Sequence, residues 1–170
     1  ALDQGTTSSR AILIDSEGNL ISIKQKEFNQ IFPKQGWVEH DPIEILETQL
    51  EVFNQLLTEN NVNASDIISL GITNQRETVL LWDRRTGKPL YNAIVWQDKR
   101  TSDICQKMKE DGLETYVKKN TGLVIDSYFS GTKIKWIMDN VEGVKSKIKQ
   151  NNVLCGTIDS WLIYNLTSFK

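Results

Sequence analysis

The chain has 170 residues, a formal net charge of −2 at pH 7, 39% hydrophobic residues and 25% charged residues. This composition is typical of an ordinary globular protein that is long enough to bury a core. The near-balanced charge gives no support for binding to nucleic acid or to a membrane surface. No apolar run approaches the length of about 20 residues that crosses a bilayer.

A strand, a tight turn and a second strand are predicted over residues 1–15. Gly5 gives the backbone freedom that a tight turn needs, and four hydroxyls follow at Thr6 to Ser9, with Arg10 behind them. Turn amides and hydroxyls together can bind an anion such as phosphate. Asp3 would repel a phosphate unless a divalent cation lay between them, so we predict that Asp3 anchors Mg²⁺. On residue type alone, a turn whose hydroxyls bond only its own backbone fits equally well.

A third strand begins near Leu20, so three antiparallel strands are expected to open the fold. A helix then starts at Asp41, which we predict as its N-cap, with Pro42 at the first helical position and Glu44 completing a capping box. Five apolar residues at helical spacing predict its buried face. They are Ile43, Leu46, Leu50, Phe53 and Leu57.

His40, the only histidine, comes just before this helix. It has no acid or nucleophile at a recognisable spacing, so we interpret it as a structural loop residue rather than a general base. Cys105 and Cys155 lie far apart without a metal-type partner. We predict that both are reduced, buried or half-buried thiols in a cytoplasmic protein.

The rest of the chain alternates strands and helices. Residues 66–73 predict a buried parallel strand, and the preceding helix makes a right-handed crossover to it. The other predicted strands span 78–83, 91–96 and 153–155, and the other predicted helices span 101–110, 113–119, 131–139, 144–150 and 159–166. No domain linker is evident, so residues 1–170 are expected to form one domain.

Polar residues follow two of these strands, where ligands gather in α/β sheets. Arg76 carries donors for hydroxyl oxygens, and Glu77 can accept from hydroxyl protons. Trp96 offers an apolar face for the carbons of a small polyol. On composition alone, however, a solvated surface ion pair between Arg76 and Glu77 is the better-supported alternative.

Several segments resemble the FGGY family of carbohydrate kinases, and in particular its members that phosphorylate glycerol. The string Ala-Leu-Asp-Gln-Gly-Thr-Thr-Ser-Ser-Arg at 1–10 is similar to their first phosphate loop, and Gly-Ile-Thr-Asn-Gln-Arg-Glu-Thr at 71–78 is similar to their substrate loop. Residues 36–42, 93–98 and 120–136 are also similar. The resemblance implies an α/β domain of the ribonuclease H-like, actin/hexokinase/Hsp70-type ATPase fold, with a mixed sheet and flanking helices.

The resemblance also implies roles for residues at the matching positions. Those facing the nucleotide ATP would be Thr6, Thr7, Ser8 and Arg10, with Asp3 at the Mg²⁺. Those contacting glycerol would be Arg76, Glu77, Trp96 and Tyr128, with Thr6 beside them. Without the family, Tyr128 would be interpreted as a core or rim residue, and Lys133 and Trp136 are expected only to stabilise the fold.

The implied reaction is transfer of the ATP γ-phosphoryl group to glycerol, giving sn-glycerol 3-phosphate. In the family the general base is an aspartate well downstream, so it is expected beyond Lys170. The chain starts inside a strand without a methionine. We therefore expect most of an N-terminal kinase domain, inactive without the C-terminal domain, from a protein that is a dimer or tetramer when complete.

The sequence leaves two alternative functions open. Another FGGY kinase that acts on a pentulose or similar polyol would share the phosphate loop, although its substrate loop should lack the Asn-Gln-Arg-Glu string. An actin-like or Hsp70-like module would use ATP as a conformational switch and would need no polyol site.

Overall fold

The structure is a computed structural model and describes residues 1–167. Eight strands and six α-helices lie within these residues. The strands are β1 (Leu2–Gln4), β2 (Ser8–Ile14), β3 (Leu20–Glu27), β4 (Glu39–His40), β5 (Ile72–Asn74), β6 (Val79–Asp83), β7 (Ala93–Ile94) and β8 (Val153–Thr157). The helices are α1 (Pro42–Glu59), α2 (Ser102–Glu110), α3 (Glu114–Thr121), α4 (Ser130–Asn140), α5 (Val144–Lys149) and α6 (Ile158–Leu166).

The first sheet has the strand order β3-β2-β1-β5. The pairs β1·β2 and β2·β3 are antiparallel, as predicted for the first three strands, whereas β1 pairs with β5 in parallel. Asp3 is opposite Arg10 on β2 and opposite Thr73 on β5. The loops that follow β1 and β5 therefore leave the same edge of the sheet.

A second sheet, with the order β4-β7-β6-β8, is antiparallel throughout. Of the two sheets in residues 1–167, only the first combines parallel and antiparallel pairs, so it alone corresponds to the predicted mixed sheet. The sequence did not separate the second sheet from it, because an apolar run does not reveal its hydrogen-bonded neighbour. Helix α6 packs beside β8, and Trp161 of this helix is fully buried against Trp82 of β6.

The predicted buried strand over residues 66–73 is wrong in extent and in burial. The regular strand is only Ile72–Asn74, preceded by a short 3₁₀ helix at Ala64–Asp66, and Ile68 is 91% exposed. In the described part of the chain β5 is an edge strand that pairs only with β1, so no strand covers the other side of this apolar segment. The strand predicted over residues 91–96 is likewise reduced to β7.

Helix α1 begins as predicted, with the predicted N-cap residue but without the predicted capping box. Asp41 is the N-cap, its side chain accepts a hydrogen bond from Ile43 N at 2.8 Å, and Pro42 is the first helical residue. The predicted capping box is wrong. The Glu44 carboxylate instead accepts from the backbone N and side-chain Nδ2 of Asn29, at 3.1 and 2.8 Å.

The buried face of α1 is rotated from the predicted one. Ile43 is 41% exposed, and Leu46, Leu50, Phe53 and Leu57 are only half-buried. The fully buried positions of α1 include two polar residues, Thr48 and Gln49. Thr48 bonds the hydroxyl of Ser9 at 2.9 Å, and Gln49 Nε2 donates to Arg10 O at 2.8 Å. These hydrogen bonds to β2 orient α1. The face of the helix that packs against the sheet therefore differs from the face that the apolar spacing predicts.

The remaining helices agree with the predictions to within about two residues. Both cysteines are free; Cys105 is buried as predicted, but Cys155 is exposed, which corrects that prediction. Cys155 lies on β8, an edge strand of the second sheet that pairs only with β6 among the described residues. Between residues 1 and 167, no helix combines the length and apolar character needed to cross a membrane.

Candidate functional site

The turn between β1 and β2 is closed by a hydrogen bond from Gly5 N to Ser8 O at 2.9 Å. Thr7 is exposed and Thr6 is half-buried, so their hydroxyls remain near the surface. Ser8 and Ser9 are instead buried at the start of β2. Of the four turn hydroxyls that the sequence offers to an anion, those of Thr6 and Thr7 are therefore accessible, and those of Ser8 and Ser9 are not. The Ser9 hydroxyl bonds Thr48, whereas the buried Ser8 Oγ has no partner in residues 1–167.

Asp3 and Arg10 form an ion pair across β1 and β2. Arg10 Nη1 lies 2.7 Å from Asp3 Oδ2, and its Nε donates to Gln25 Oε1 at 2.9 Å. The Asp3 side chain keeps 26% of its surface exposed, and its second oxygen accepts no hydrogen bond from the described residues.

A single carboxylate of this kind fits Mg²⁺. This cation is usually held by one or two carboxylates together with phosphate oxygens and water. The part of the chain that the structure describes contains no cluster of three or more His, Cys, Asp or Glu residues that could hold a metal by itself. Asp3 can therefore contribute one ligand to a cation that phosphate and water also hold, but it does not form a self-sufficient metal site.

A cavity of about 290 Å³ opens beside the turn. It is lined by Thr6, Asn74, Gln75, Arg76, Trp96 and Tyr128. Trp96 Nε1 donates to Thr6 Oγ1 at 3.0 Å, and the rings of Trp96 and Tyr128 meet edge to face with centroids 5.8 Å apart. Arg76 is exposed, and its guanidinium has no partner among residues 1–167. Donors and an apolar face therefore meet in one small space.

Glu77 lies next to this cavity in sequence but does not line it. Its Oε2 accepts from the backbone N and the hydroxyl of Ser130, at 3.0 and 2.8 Å, where α4 begins. Its backbone has φ of +64°, a left-handed conformation that is uncommon for a residue other than glycine. The surface ion pair between Arg76 and Glu77 does not form. The second carboxylate oxygen of Glu77 keeps its acceptor capacity.

Buried amides join the two loops of the site. Gln75 is 5% exposed, and its Nε2 donates to Gln4 Oε1 at 2.9 Å and lies 3.2 Å from Gly5 O. Its Oε1 accepts from Thr78 Oγ1 at 2.8 Å, and that hydroxyl also accepts from Trp96 N at 3.3 Å. The β1–β2 turn is therefore fixed to the loop after β5 and to the Trp96 backbone.

His40 belongs to the same network. It is fully buried in β4; its Nδ1 lies 3.2 Å from Gln75 Nε2 and its Nε2 lies 2.7 Å from Gln30 Oε1. Since amide nitrogens donate and amide oxygens accept, the proton is on Nε2. Gln30 in turn donates to Thr6 O at 3.1 Å. Burial lowers the pKa of His40 to about 4, so the ring is neutral at pH 7. The predicted structural role fits, although the residue lies in a strand rather than a loop.

A buried ionic cluster supports the loop that carries Trp96. The Arg100 side chain is fully buried, with Nη2 2.7 Å from Glu39 Oε1 and 2.8 Å from Asp98 Oδ2. Its guanidinium carbon lies 3.9 Å from the ring centroid of Trp37 and 4.6 Å from that of Trp136. Burial lowers the pKa of Arg100, but the hydrogen bonds to both carboxylates outweigh it, so the pKa is raised and the charge is retained.

The N-terminal domain of the FGGY family of carbohydrate kinases matches residues 1–170. The chain belongs to this family. Of its sequence relatives, the glycerol kinase of Clostridium perfringens is 59% identical over 171 residues, covering all of this FGGY domain and 34% of that protein. Glycerol kinase 2 of Thermotoga maritima is 59% identical over 167 residues, covering 98% of the domain and 34% of that protein.

Solved structures of FGGY kinases have the same fold as this chain. The crystal structure of Plasmodium falciparum glycerol kinase with ADP aligns with a TM-score of 0.93 at 39% identity, over 99% of this chain and 34% of that one. A xylulose kinase from Lactobacillus acidophilus aligns with a TM-score of 0.84 at 22% identity, over 96% of this chain and 32% of that one, which shows the fold alone. The predicted actin/hexokinase/Hsp70-like ATPase fold is confirmed. The domain spans about a third of the length of the curated relatives it matches.

The structure brings together four predicted site residues, Thr6, Arg76, Trp96 and Tyr128, around one cavity. The sequence interpretation gave no role to Gln75, although it lies in the quoted Asn-Gln-Arg-Glu string. A polar residue directly after a strand and beside a predicted ligand loop was the available signal. The partners of its side-chain amide could not be read from the sequence, because Gln4 and His40 lie 71 and 35 residues away.

Proposed function

We propose that this FGGY domain supplies the phosphate loop and the acceptor wall of an enzyme that transfers the γ-phosphoryl group of ATP to glycerol. The observation that carries this proposal is the small cavity beside the β1–β2 turn, where the unpaired Arg76 guanidinium and the Trp96 ring face one volume. Relatives named glycerol kinase at 59% identity support glycerol as the acceptor. The ADP named for the Plasmodium structure supports an adenine nucleotide as the donor.

In this proposal the turn amides and the hydroxyls of Thr6 and Thr7 donate to phosphate oxygens. Ser8 joins them if its buried hydroxyl, which has no partner in the described structure, is reached by a phosphate. Arg10 contributes positive charge behind the loop. Asp3 would hold Mg²⁺ partly through water, and that ion would neutralise charge on the transferred group.

The acceptor would lie against Trp96, with hydroxyl oxygens accepting from Arg76 and Tyr128 and a hydroxyl proton donated to Glu77. Because Glu77 already accepts two hydrogen bonds from Ser130, its orientation is set before the ligand arrives. We assign the general base to a carboxylate outside these 170 residues, as the family resemblance implies, and give Glu77 the role of binding the acceptor. A cytoplasmic location and a homo-oligomer of the whole protein are part of the same proposal.

The test is a kinase assay on the whole gene product that contains this chain, because the relatives are about three times as long. We expect ATP consumption that depends on glycerol and yields sn-glycerol 3-phosphate. Xylulose and gluconate, the acceptors named for fold neighbours, serve as the comparison substrates. Turnover of a pentulose without turnover of glycerol would contradict the proposal and favour the pentulose kinase alternative.

The acceptor wall gives a sharper prediction. In the same protein, Glu77→Ala is expected to raise the glycerol KM by roughly 30- to 150-fold, which corresponds to a lost charged hydrogen bond of about 2–3 kcal/mol. Glu114→Ala, at an exposed glutamate of α3, is the control and should leave the KM unchanged. An unaltered glycerol KM in Glu77→Ala would remove Glu77 from the acceptor site.

A further inference from the structure

The Lys133 side chain is fully buried in the first turn of α4, an unusual place for an ammonium group. Its two hydrogen-bond partners are both main-chain carbonyls, Glu77 O at 3.0 Å and Tyr128 O at 2.6 Å. No carboxylate forms an ion pair with it in the described residues. Burying a charged group costs free energy, and an apolar side chain could fill the same space more cheaply. Filling the core therefore does not account for a lysine at this position.

The two carbonyls belong to two separate segments of the acceptor wall. Glu77 follows β5, whereas Tyr128 precedes α4, and 51 positions separate them in the sequence. The ammonium of Lys133 ties these segments together at the level of the backbone. Tyr128 lines the cavity itself, and its ring packs against Trp96.

The backbone of Glu77 needs such a restraint. Its positive φ of 64° is unfavourable for a residue with a Cβ, and conformations of this kind persist where surrounding contacts hold them. Lys133 holds the main chain of Glu77, and Ser130 holds its carboxylate through Oε2. One oxygen of the carboxylate thus stays available for a ligand while the rest of the residue is fixed.

We infer that Lys133 is a positioning residue for the acceptor site, acting through the carbonyls of Glu77 and Tyr128 and not through contact with the substrate. This inference rests on the proposed function for the identity of the substrate. The geometry itself does not depend on which polyol is bound. Lys133 therefore has a role beyond the fold stabilisation that the sequence suggested.

The test compares Lys133→Met with Lys135→Met in the whole gene product. Both variants replace a lysine of α4 by the same residue, but Lys135 is 59% exposed and pairs with Asp139 at the surface. We expect Lys133→Met to raise the glycerol KM about tenfold or more, with the ATP KM within twofold of wild type. Lys135→Met should change neither constant.

A second comparison separates positioning from a general loss of stability. In a Glu77→Ala background, Lys133→Met should add much less to the glycerol KM than it does in the wild type, because the two substitutions damage the same contact. Fully additive effects, or an equal loss for glycerol and ATP, would overturn the inference. If Lys133→Met does not fold, Lys133→Gln, which keeps two N–H donors, takes its place, and failure of both to fold would show a structural role only.

Amide hydrogen exchange gives a readout that does not require glycerol. Lys133→Met should lose protection at residues 75–78 and 126–130, with the β2–β3 hairpin unchanged, whereas Lys135→Met should keep both. Unchanged exchange at these two segments would overturn the inference. If the wild type fails to phosphorylate glycerol but the exchange result is as expected, the proposed substrate is wrong and the positioning role stands.

Discussion

Arg100→Met is expected to lower the free energy of unfolding by about 3–5 kcal/mol, as is typical when a buried ion loses its partner. The Arg100 guanidinium lies against the rings of Trp37 and Trp136 and balances the buried carboxylates of Asp98 and Glu39. Methionine occupies a similar space but carries no charge. Two buried carboxylates would then lose the cation that pairs with both of them, so each must take up a proton or draw in water.

Urea unfolding followed by tryptophan fluorescence measures this effect, since two of the five tryptophans lie against Arg100. Arg85→Met, at an exposed arginine in the turn after β6, is the control and should stay within about 0.5 kcal/mol of wild type. Adding Asp98→Asn and Glu39→Gln to Arg100→Met should recover part of the loss, because no charge is then left uncompensated. A loss below about 1 kcal/mol in Arg100→Met alone would show that solvent reaches the cluster.

His40 is expected to titrate with a pKa of about 4 and to make the protein less stable in mild acid. Its ordinary pKa of 6.5 is lowered by burial. Because the unfolded chain binds the proton more tightly, the contribution is fully present above pH 6.5 and is lost as the pH falls from 6.5 to about 4. The shift corresponds to about 3 kcal/mol. The protonated ring would also place an N–H against the Gln75 amide nitrogen, so the bond at Nδ1 would break.

The chain has a single histidine, so one imidazole Cε1–H resonance, followed by NMR against pH, reports the pKa directly. His40→Gln provides the matched stability control, since it keeps an amide in the cavity but does not titrate. The difference in unfolding free energy between wild type and His40→Gln should vary between pH 4 and 6.5 and be flat above this range. A measured pKa near 6.5 would show that the ring is hydrated.

Local signals in the sequence were sufficient to predict where α1 begins, because Asp41 and Pro42 act on their immediate neighbours. They were insufficient for its buried face, since Thr48 and Gln49 are turned inward by partners 39 residues away. A periodicity argument counts polar residues as outward-facing and cannot detect such a partner. The short, exposed β5 segment was misjudged for the related reason that an apolar run does not reveal whether another strand covers it.

In the candidate site, too, some features could be predicted from the sequence, and others depend on distant partners that the sequence does not reveal. The grouping of Arg76, Trp96 and Tyr128 could be predicted, because the family resemblance named them and sheet topology brings strand ends together. The role of Lys133 could not be predicted, since it depends on two carbonyls that carry no sequence signal. The left-handed backbone of Glu77 was equally hidden, because a glutamate gives no indication of positive φ.

Under the proposed function, the parallel register of β1 and β5 bears on how the acceptor specificity can change. Gln4 is paired with Asn74 at the point where both strands end, so the turn proposed to bind phosphate and the loop proposed to bind the acceptor start one strand spacing apart, about 4.8 Å. The strand pairing thus sets the distance between the two bound reactants, and with it their effective concentration. In that proposal, side chains of the acceptor loop other than Gln75, which bonds the β1–β2 turn, can be exchanged without moving the donor. New acceptor specificities can then evolve while the phosphoryl-transfer alignment is kept.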